Sequence, residues 1–457
     1  MSKKQAWSAV EKKEFRGALL AIVIPVALQN LLSAVVSASD ALMLGVLDQE
    51  SLSSISLATQ INFVMSLFIG AVTIGTTVLA AQYWGKEDVD TVEKVLGIGI
   101  KFVFPVTFIF FLLAFFAPGF LMGIYTNDPI LIELGIPYLR IVSFSYLCMG
   151  VSHVYLTIMK NSGRTFLSTV YGSSAVVINF ILNWLLIYGI AFFPKMEIRG
   201  AAIATLIARI VELMLCLFEN MKKDVVKIKI KSIFTTYERL QKDFVTYTTP
   251  VLCNLIAWGC GFSMFSVIMG HLGSDAVAAN SITNIVKNIM ICGASGVSAG
   301  AGIIVGNELG RSDFEKARKY GDRLCHIAIS IGAIVGIMIV IASPVIVSMA
   351  TTLTDTAREY LRYMLLVCGY YMIGSAANKT TISGIFCAGG DTKFGFICDT
   401  ITMWAFCVPL GALAAFVFKW PVLVVFFILN LDEMVKLPAV YMRYKKYKWL
   451  RNITNEE

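Results

Sequence analysis

Charged residues are what this chain has too few of. Asp, Glu, Lys and Arg make up 15% of its 457 residues, against 57% hydrophobic residues and a mean hydropathy of +0.74. A soluble domain carries about 25% charged residues to cover its surface. A water-soluble enzyme, a disordered scaffold and a nucleic-acid-binding module are therefore disfavoured. Long polar stretches are missing too: the widest gap between apolar runs, Glu219 to Asp243, is too short to fold alone. The ten cysteines include no Cys-x-x-Cys pair, and His153, His271 and His326 stand far apart. No Cys/His metal site is expected, and the cysteines are read as small packing residues. The ten-residue alternation of a membrane barrel is absent. The run Gly293, Gly296, Gly300, Gly302, Gly306 lacks the Gly-Lys-Ser/Thr ending of a phosphate loop, so it is read as close helix packing.

What remains is apolar sequence in about twelve runs of roughly 20 residues, from 17–46 to 421–441, each long enough to cross a bilayer. Spanning helices satisfy their own backbone hydrogen bonds, so an all-α membrane protein of twelve transmembrane helices follows. With both termini cytoplasmic, about 29 of the Lys and Arg side chains fall on the inner side, against about six outside (Arg140, Lys195, Arg199, Arg358, Arg362, Lys419), the positive-inside pattern. That topology accounts for the net charge of +8 without a nucleic-acid partner. The expected location is the cell membrane, the expected partners are lipid and small molecules, and the expected unit is a monomer. The tail Arg443, Tyr444, Lys445, Lys446, Lys448, Trp449 reads as an interfacial anchor, and Trp7, Trp84 and Trp420 also lie near span ends. A cleaved signal peptide is not expected, because the first run is long and carries Pro25, Gln29, Asn30 and Asp40.

The chain aligns with itself at an offset of 225 residues. Pro25 falls on Pro250, Gly45 on Gly270, Gly75 on Gly300, Gly85 on Gly310, Asp88 on Asp313 and Lys94 on Lys319. Further on, Tyr138, Leu139 and Arg140 match Tyr360, Leu361 and Arg362, and Gly163 with Thr165 matches Gly390 with Thr392. The chain is a duplicated six-helix unit. An even number of spans keeps both copies in the same orientation, giving two pseudo-symmetric six-helix lobes about an axis along the membrane normal with a cleft between them. The expected division is an N-terminal lobe at 1–219, a basic cytoplasmic linker at 220–243 and a C-terminal lobe with a basic tail at 244–457.

The segment Gly70 to Asp88, with Gly75, Leu79, Ala81, Gln82, Gly85 and Lys86, and its copy Gly300 to Asp313 resemble the signature of the multidrug and toxic compound extrusion (MATE) family. Pro25, Gln29 and Asp40, then Asn179 and Leu182, then Gly200, Ala201, Ala204 and Thr205, then Trp404 and Pro409 extend that likeness along the chain, which is similar to the prokaryotic branch of DNA-damage-inducible transporters. The resemblance implies a cation-coupled antiporter that exports amphipathic, often cationic, compounds by alternating access. It also implies that Asp40 matches the coupling carboxylate of the first helix. Two departures stand out: Asn183 occupies a position where that branch often has Asp, and Pro250 to Gly270 contains no acid.

A carboxylate at bilayer depth costs several kcal/mol unless it binds a proton or a cation. Asp40 is such a residue, with Phe265 as its repeat counterpart, and it would be the Na+ ligand were sodium the coupling ion. Asn62, Asn179, Asn183 and Thr205 lie at similar depth on neighbouring spans, Asn179 and Asn183 on one helix face. They are expected either to join Asp40 in coupling H+ or Na+ or to hold helices together. Pro25 reads as a hinge or a static kink. A substrate cleft is expected from Gln29, Asn254, Phe265, Asn284 and Lys287. Lys287 is read either as snorkelling outward or as facing Asp40 across the cleft. Phe262, Met264 and Met269 are read as cleft wall or lipid face. Arg209 with Glu212, and Glu433 with Lys436, read as structural pairs, while Lys379 and Asp399 are expected to reach water. No cofactor beyond the coupling ion is expected. A lipid-linked glycan flippase is the alternative, set back by Arg209 being the one deep arginine. A membrane enzyme would need clustered reactive groups at one depth, and none is visible.

Overall fold

The computed structural model describes residues 9–45, 49–189, 194–351 and 353–454, with side chains except at 38, 40–42, 44, 45 and 49. Among these residues every regular element is helical. The first lobe comprises α1 (Ala9–Gly45), α2 (Gln49–Gly85), α3 (Val89–Phe116), the short α4 (Pro118–Gly123), α5 (Pro129–Asn161), α6 (Thr165–Tyr188) and α7 (Glu197–Asn220). After a connecting segment with α8 (Ile230–Phe234), the second lobe holds α9 (Glu238–Gly270), α10 (Ser274–Met290), α11 (Cys292–Gly310), α12 (Phe314–Met349) and α13 (Asp355–Asn378). It then continues through α14 (Thr392–Thr400), α15 (Val408–Ala412), α16 (Val422–Leu429), α17 (Asp432–Val435) and α18 (Leu437–Lys445).

Nine of the described helices are long and apolar enough to cross a membrane, and α10 with α11, bent by 41° at Ile291, forms one more span. The tenth and twelfth spans of the duplicated unit escape a hydropathy test for a physical reason. The tenth, α13 continued by a π-wound stretch Lys379–Phe386, carries polar and charged side chains, and the twelfth is chopped into α16, α17 and α18. The eleventh alternates α14 and α15 with π-wound Ile401–Cys407 and Leu413–Val417.

The duplication is written into the turns. Asp88 caps α3 by accepting from the Thr91 amide at 3.0 Å, and Asp313 caps α12 by accepting from the Lys316 amide at 3.0 Å. Just before each cap the backbone turns left-handed at a non-glycine residue, Glu87 (φ 64°) and Ser312 (φ 62°), and the matching Gly163 and Gly390 have φ 78° and 74°.

The lobes meet along the same dyad. A Cβ on Gly85 would strike the carbonyl of Asn307, and one on its copy Gly310 would strike the carbonyl of Gln82, the copy of Asn307. Likewise Gly75 accommodates Thr248, and Gly300 accommodates Val23. Small residues let the backbones approach this closely, as membrane helices require. The first half of α1 inserts into the second lobe, where Phe15, Ile22 and Val23 join the core of Val297, Ile304 and Leu324, and Lys316 and Lys319 pair with Glu14 (2.9 Å) and Glu11 (3.2 Å). The segment with α8 docks on the first lobe: Val226 is in its core and Lys229 pairs with Glu93 at 2.5 Å.

The chain's last described residues correct the expectation for Trp449. Its side chain is fully buried against Tyr444 and Gly321, so it is a core residue of the second lobe. A few residues on, the Ile453 amide donates to Gln82 Oε1 (2.9 Å), while Gln82 Nε2 donates to the carbonyls of Ala388 (2.7 Å) and Arg451 (3.2 Å). The tail thus bolts α2 to the second lobe at the end of the bundle that carries both termini. Trp7 lies outside the described residues, and Trp420 is exposed as a span-end residue should be.

Gly310→Ala is expected to cost about 1–3 kcal/mol by overpacking the lobe contact, read as a lower Tm in detergent. Gly17→Ala has nothing within 4 Å of the new methyl and should leave Tm unchanged or raise it.

Candidate functional site

Inside the first lobe, α1, α2, α5, α6 and α7 enclose a cavity of about 430 Å³. Its wall is built by spacing. Asn179 and Asn183 are one turn apart on α6, so both amides reach the same side, and Asn183 Nδ2 donates to Asn179 Oδ1 at 3.3 Å. Asn179 Nδ2 donates in turn to Thr205 Oγ1 at 3.2 Å on α7, and Thr205 Oγ1 back-bonds to the carbonyl of Ala201 at 3.0 Å. This chain of dipoles joins two helices while keeping oxygens beside the cavity. Asn62 lines it from α2, and its Oδ1 is buried without a hydrogen-bond partner among the described residues. An acceptor left unsatisfied in a dry interior is costly unless something visits it. Arg209 lines the cavity as well, held at 2.7 Å by Glu212, which is 1% exposed, in the ion pair expected from their spacing.

The α1 contribution is Ser33, Val36 and Ser37. Asp40 stands seven residues after Ser33 and three after Ser37, one turn further along that helical face. The Asp40 side chain lies outside the described residues. Pro25 lies within an uninterrupted α1.

The residues expected to line one cleft do not share a surface. Gln29 faces α6, where Gly172 makes room for its amide, and its Oε1 accepts from Lys160 Nζ at 3.1 Å. Asn254 donates to Asp399 Oδ2 at 2.9 Å inside the second lobe. Phe265, Asn284 and Lys287 line a separate cavity of about 20 Å³ with Phe262, Met269 and Asn430, while Met264 is exposed.

That small cavity is the repeat image of the large one. Lys287 stands 225 residues after Asn62, Asn284 the same distance after Thr59, and Phe265 the same distance after Asp40. In the second lobe the space is filled by the lysine itself. Its ammonium donates to Asn430 Oδ1 at 2.8 Å and lies 3.9 Å from the centre of the Tyr371 ring. Lys287 is therefore neither snorkelling nor reaching toward the first lobe: its ammonium is held within its own lobe, at the place where the first lobe has Asn62.

The expected pair of Glu433 with Lys436 forms within a larger group that also takes in Asp399 and Asp432. Lys436 Nζ pairs with Asp399 at 2.8 Å as well as with Glu433 at 3.1 Å, Glu433 also accepts from Asn378 Nδ2 at 2.9 Å, and Asp432 is 5% exposed. Asp399 thus faces Lys436 rather than water, and Lys379 Nζ donates to Ser295 Oγ at 2.8 Å. The signal that could have found them is the acid pair Asp432 and Glu433 inside an apolar run, four and three residues before a lysine. Among the described residues no group of His, Cys, Asp and Glu could hold a metal ion, and the ten cysteines are unbridged.

A duplicated bundle of spanning helices, its lobes joined through backbone contacts and hollowed by polar cavities, defines the class of multi-pass membrane transporters. The MatE family model matches residues 25–185 and 250–413, one stretch in each repeat, and the chain belongs to that family of multidrug and toxic compound transporters. It is 20% identical over 435 residues to the uncharacterized transporter YisQ of Bacillus subtilis, covering 95% of each chain. It is 22% identical over 404 residues to the probable multidrug resistance protein NorM of Thermotoga maritima, covering 88% of this chain and 86% of that one. A crystal structure of MATE in complex with MaL6 superposes with a TM-score of 0.87 over 95% of this chain and 96% of that one, at 16% identity.

Removing Lys436 would leave Asp399 and Glu433 buried without their counter-charge. Lys436→Met is expected to destabilise by about 3–5 kcal/mol, seen as a large fall in Tm. Lys195→Ala, which breaks a half-exposed pair with Glu197, should cost under about 1 kcal/mol.

Proposed function

We propose that this protein is a cation-coupled antiporter that exports amphipathic, cationic organic compounds, and that the first-lobe cavity is where the coupling ion, H+ or Na+, is exchanged. The observation that carries this reading is the Asn62 Oδ1, unpartnered among the described residues, in a cavity shared with Asn179, Asn183 and Thr205, at the end of the α1 face that leads to Asp40. Family membership and the relatives named for multidrug resistance support export as the direction of transport.

In the mechanism, Asp40 is the ionisable group and the amides and hydroxyl are its neutral partners. With no counter-ion the carboxylate is expensive at this depth, so it takes a proton or a cation from outside. Neutralised, it no longer holds a cationic substrate, and α1 bends at Pro25, where a backbone donor is missing. The substrate leaves as the ion enters. The lobes at 1–219 and 244–457 rock about the glycine contacts, with 220–243 and both termini in the cytoplasm of a plasma-membrane protein. Asn183 in place of an acid leaves Asp40 as the single carboxylate of the set, which favours one proton over a hydrated metal cation.

In vesicles, a pH gradient and a sodium gradient imposed separately identify the ion by which one drives efflux of a fluorescent cation. Asp40→Asn is expected to abolish gradient-driven efflux while leaving membrane expression intact. Undiminished export by that variant would overturn the assignment.

A further inference from the structure

The second lobe departs from regular helix in the three spans that carry Lys379, Asp399 and the group Asp432, Glu433 and Lys436. The tenth and eleventh contain π-wound Lys379–Phe386 and Ile401–Cys407, and the twelfth is interrupted on both sides of Asp432–Val435. Their counterparts α5, α6 and α7 are continuous α-helices. Broken backbone inside a membrane leaves peptide groups to be satisfied by neighbours, and π-turns in helices concentrate at functional sites. Ion sites in transporters are commonly built at such discontinuities.

At the break sits Asp432. It is 5% exposed, it has no ion pair within 4.0 Å, and its Oδ1 is buried with no hydrogen-bond partner among the described residues. The charged and titratable groups that bear on it come from every neighbouring element: Glu433 and Lys436 beside it, Lys287 on α10, Tyr371 on α13 and Cys407 on the eleventh span. None neutralises it directly. Lys436 is committed to Asp399 and Glu433, and Lys287 to Asn430. An acid left over in this way is held most cheaply as the neutral carboxyl.

We propose that Asp432 carries an exchangeable proton, so that the second lobe holds a proton-binding site of its own, distinct from the first-lobe cavity. Release breaks the Asp432 O–H bond and passes the proton to water entering at the helix break. The carboxylate left behind is met by Lys436, one helical turn away, which then lets go of Asp399. Opening and closing of that contact ties the twelfth span to the eleventh. Resting on the reading of the chain as a cation-coupled transporter, the inference assigns it two acids, one per lobe.

Infrared difference spectra of the purified protein between acid and alkaline pH test this without any transport assay. A protonated-carboxyl C=O band is expected that shifts in D2O, persists in Asp40→Asn and is lost when Asp432→Asn is added to that variant. Lys287→Gln, which removes a nearby positive charge, should move the band's disappearance to higher pH by about one unit. A spectrum in which Asp432→Asn, made in the Asp40→Asn background, keeps the band, or in which Lys287→Gln in that background leaves its pH midpoint in place, would overturn the proposal. So would a band abolished by added sodium at constant pH. Loss of efflux in Asp40→Asn alongside an unchanged Asp432→Asn spectrum would sink this proton site and leave the first-lobe reading standing.

Discussion

Two helical lobes in a bilayer gain nothing from hiding oily side chains from each other, because lipid is equally oily. What holds these lobes together is backbone brought against backbone where glycine leaves room. Gly85 lies on the Asn307 backbone and Gly310 on the Gln82 backbone, while Gly75 and Gly300 make room for the side chains of Thr248 and Val23. Each contact has its image, so the interface is self-complementary. From it follow the seating of α1 in the second lobe's core and the bolting of Gln82 by Ala388, Arg451 and Ile453. These contacts gather at one end of the bundle and leave the polar cavity in the first lobe's interior undisturbed.

The two copies have then diverged in how each fills the same space. Asn62 stands beside a cavity of about 430 Å³, whereas Lys287 at the equivalent place leaves about 20 Å³. A lysine is an ammonium ion on a tether, and tethering removes the need to recruit one. The second lobe concentrates its ionisable groups elsewhere, around the interrupted twelfth span, where Asp399 and Glu433 share Lys436 and Asp432 lies buried beside them. The duplication kept the helices and their turns while exchanging the charges that line them.

The spans, the duplication and the meeting of Asn62, Asn179, Asn183 and Thr205 at one depth were legible because each rests on spacing along continuous helices. Residues one turn apart share a face whatever the rest of the chain does. The second lobe was less legible for the same reason. Where helices wind as π-turns or break, a count of residues no longer gives direction, and Asp399 and Lys379, apparently near water, turn inward onto Lys436 and Ser295. Trp449 looked like a belt residue from its basic neighbours, but Gly321 makes room for its indole and Gly389 for its backbone, both distant in sequence. The grouping of Gln29, Asn254 and Lys287 into one cleft failed because each found a nearer partner within its own lobe.

The central claim is that ion and substrate compete for the first-lobe cavity. Ser56, on its wall, can be replaced by cysteine in a background whose ten native cysteines are removed, and then exposed to a membrane-impermeant thiol reagent in oriented vesicles. The account predicts labelling from one side of the membrane that is slowed by transported substrate and slowed separately by the coupling ion. A cysteine that never reacts from either side, or reacts at one rate whatever is added, would contradict it.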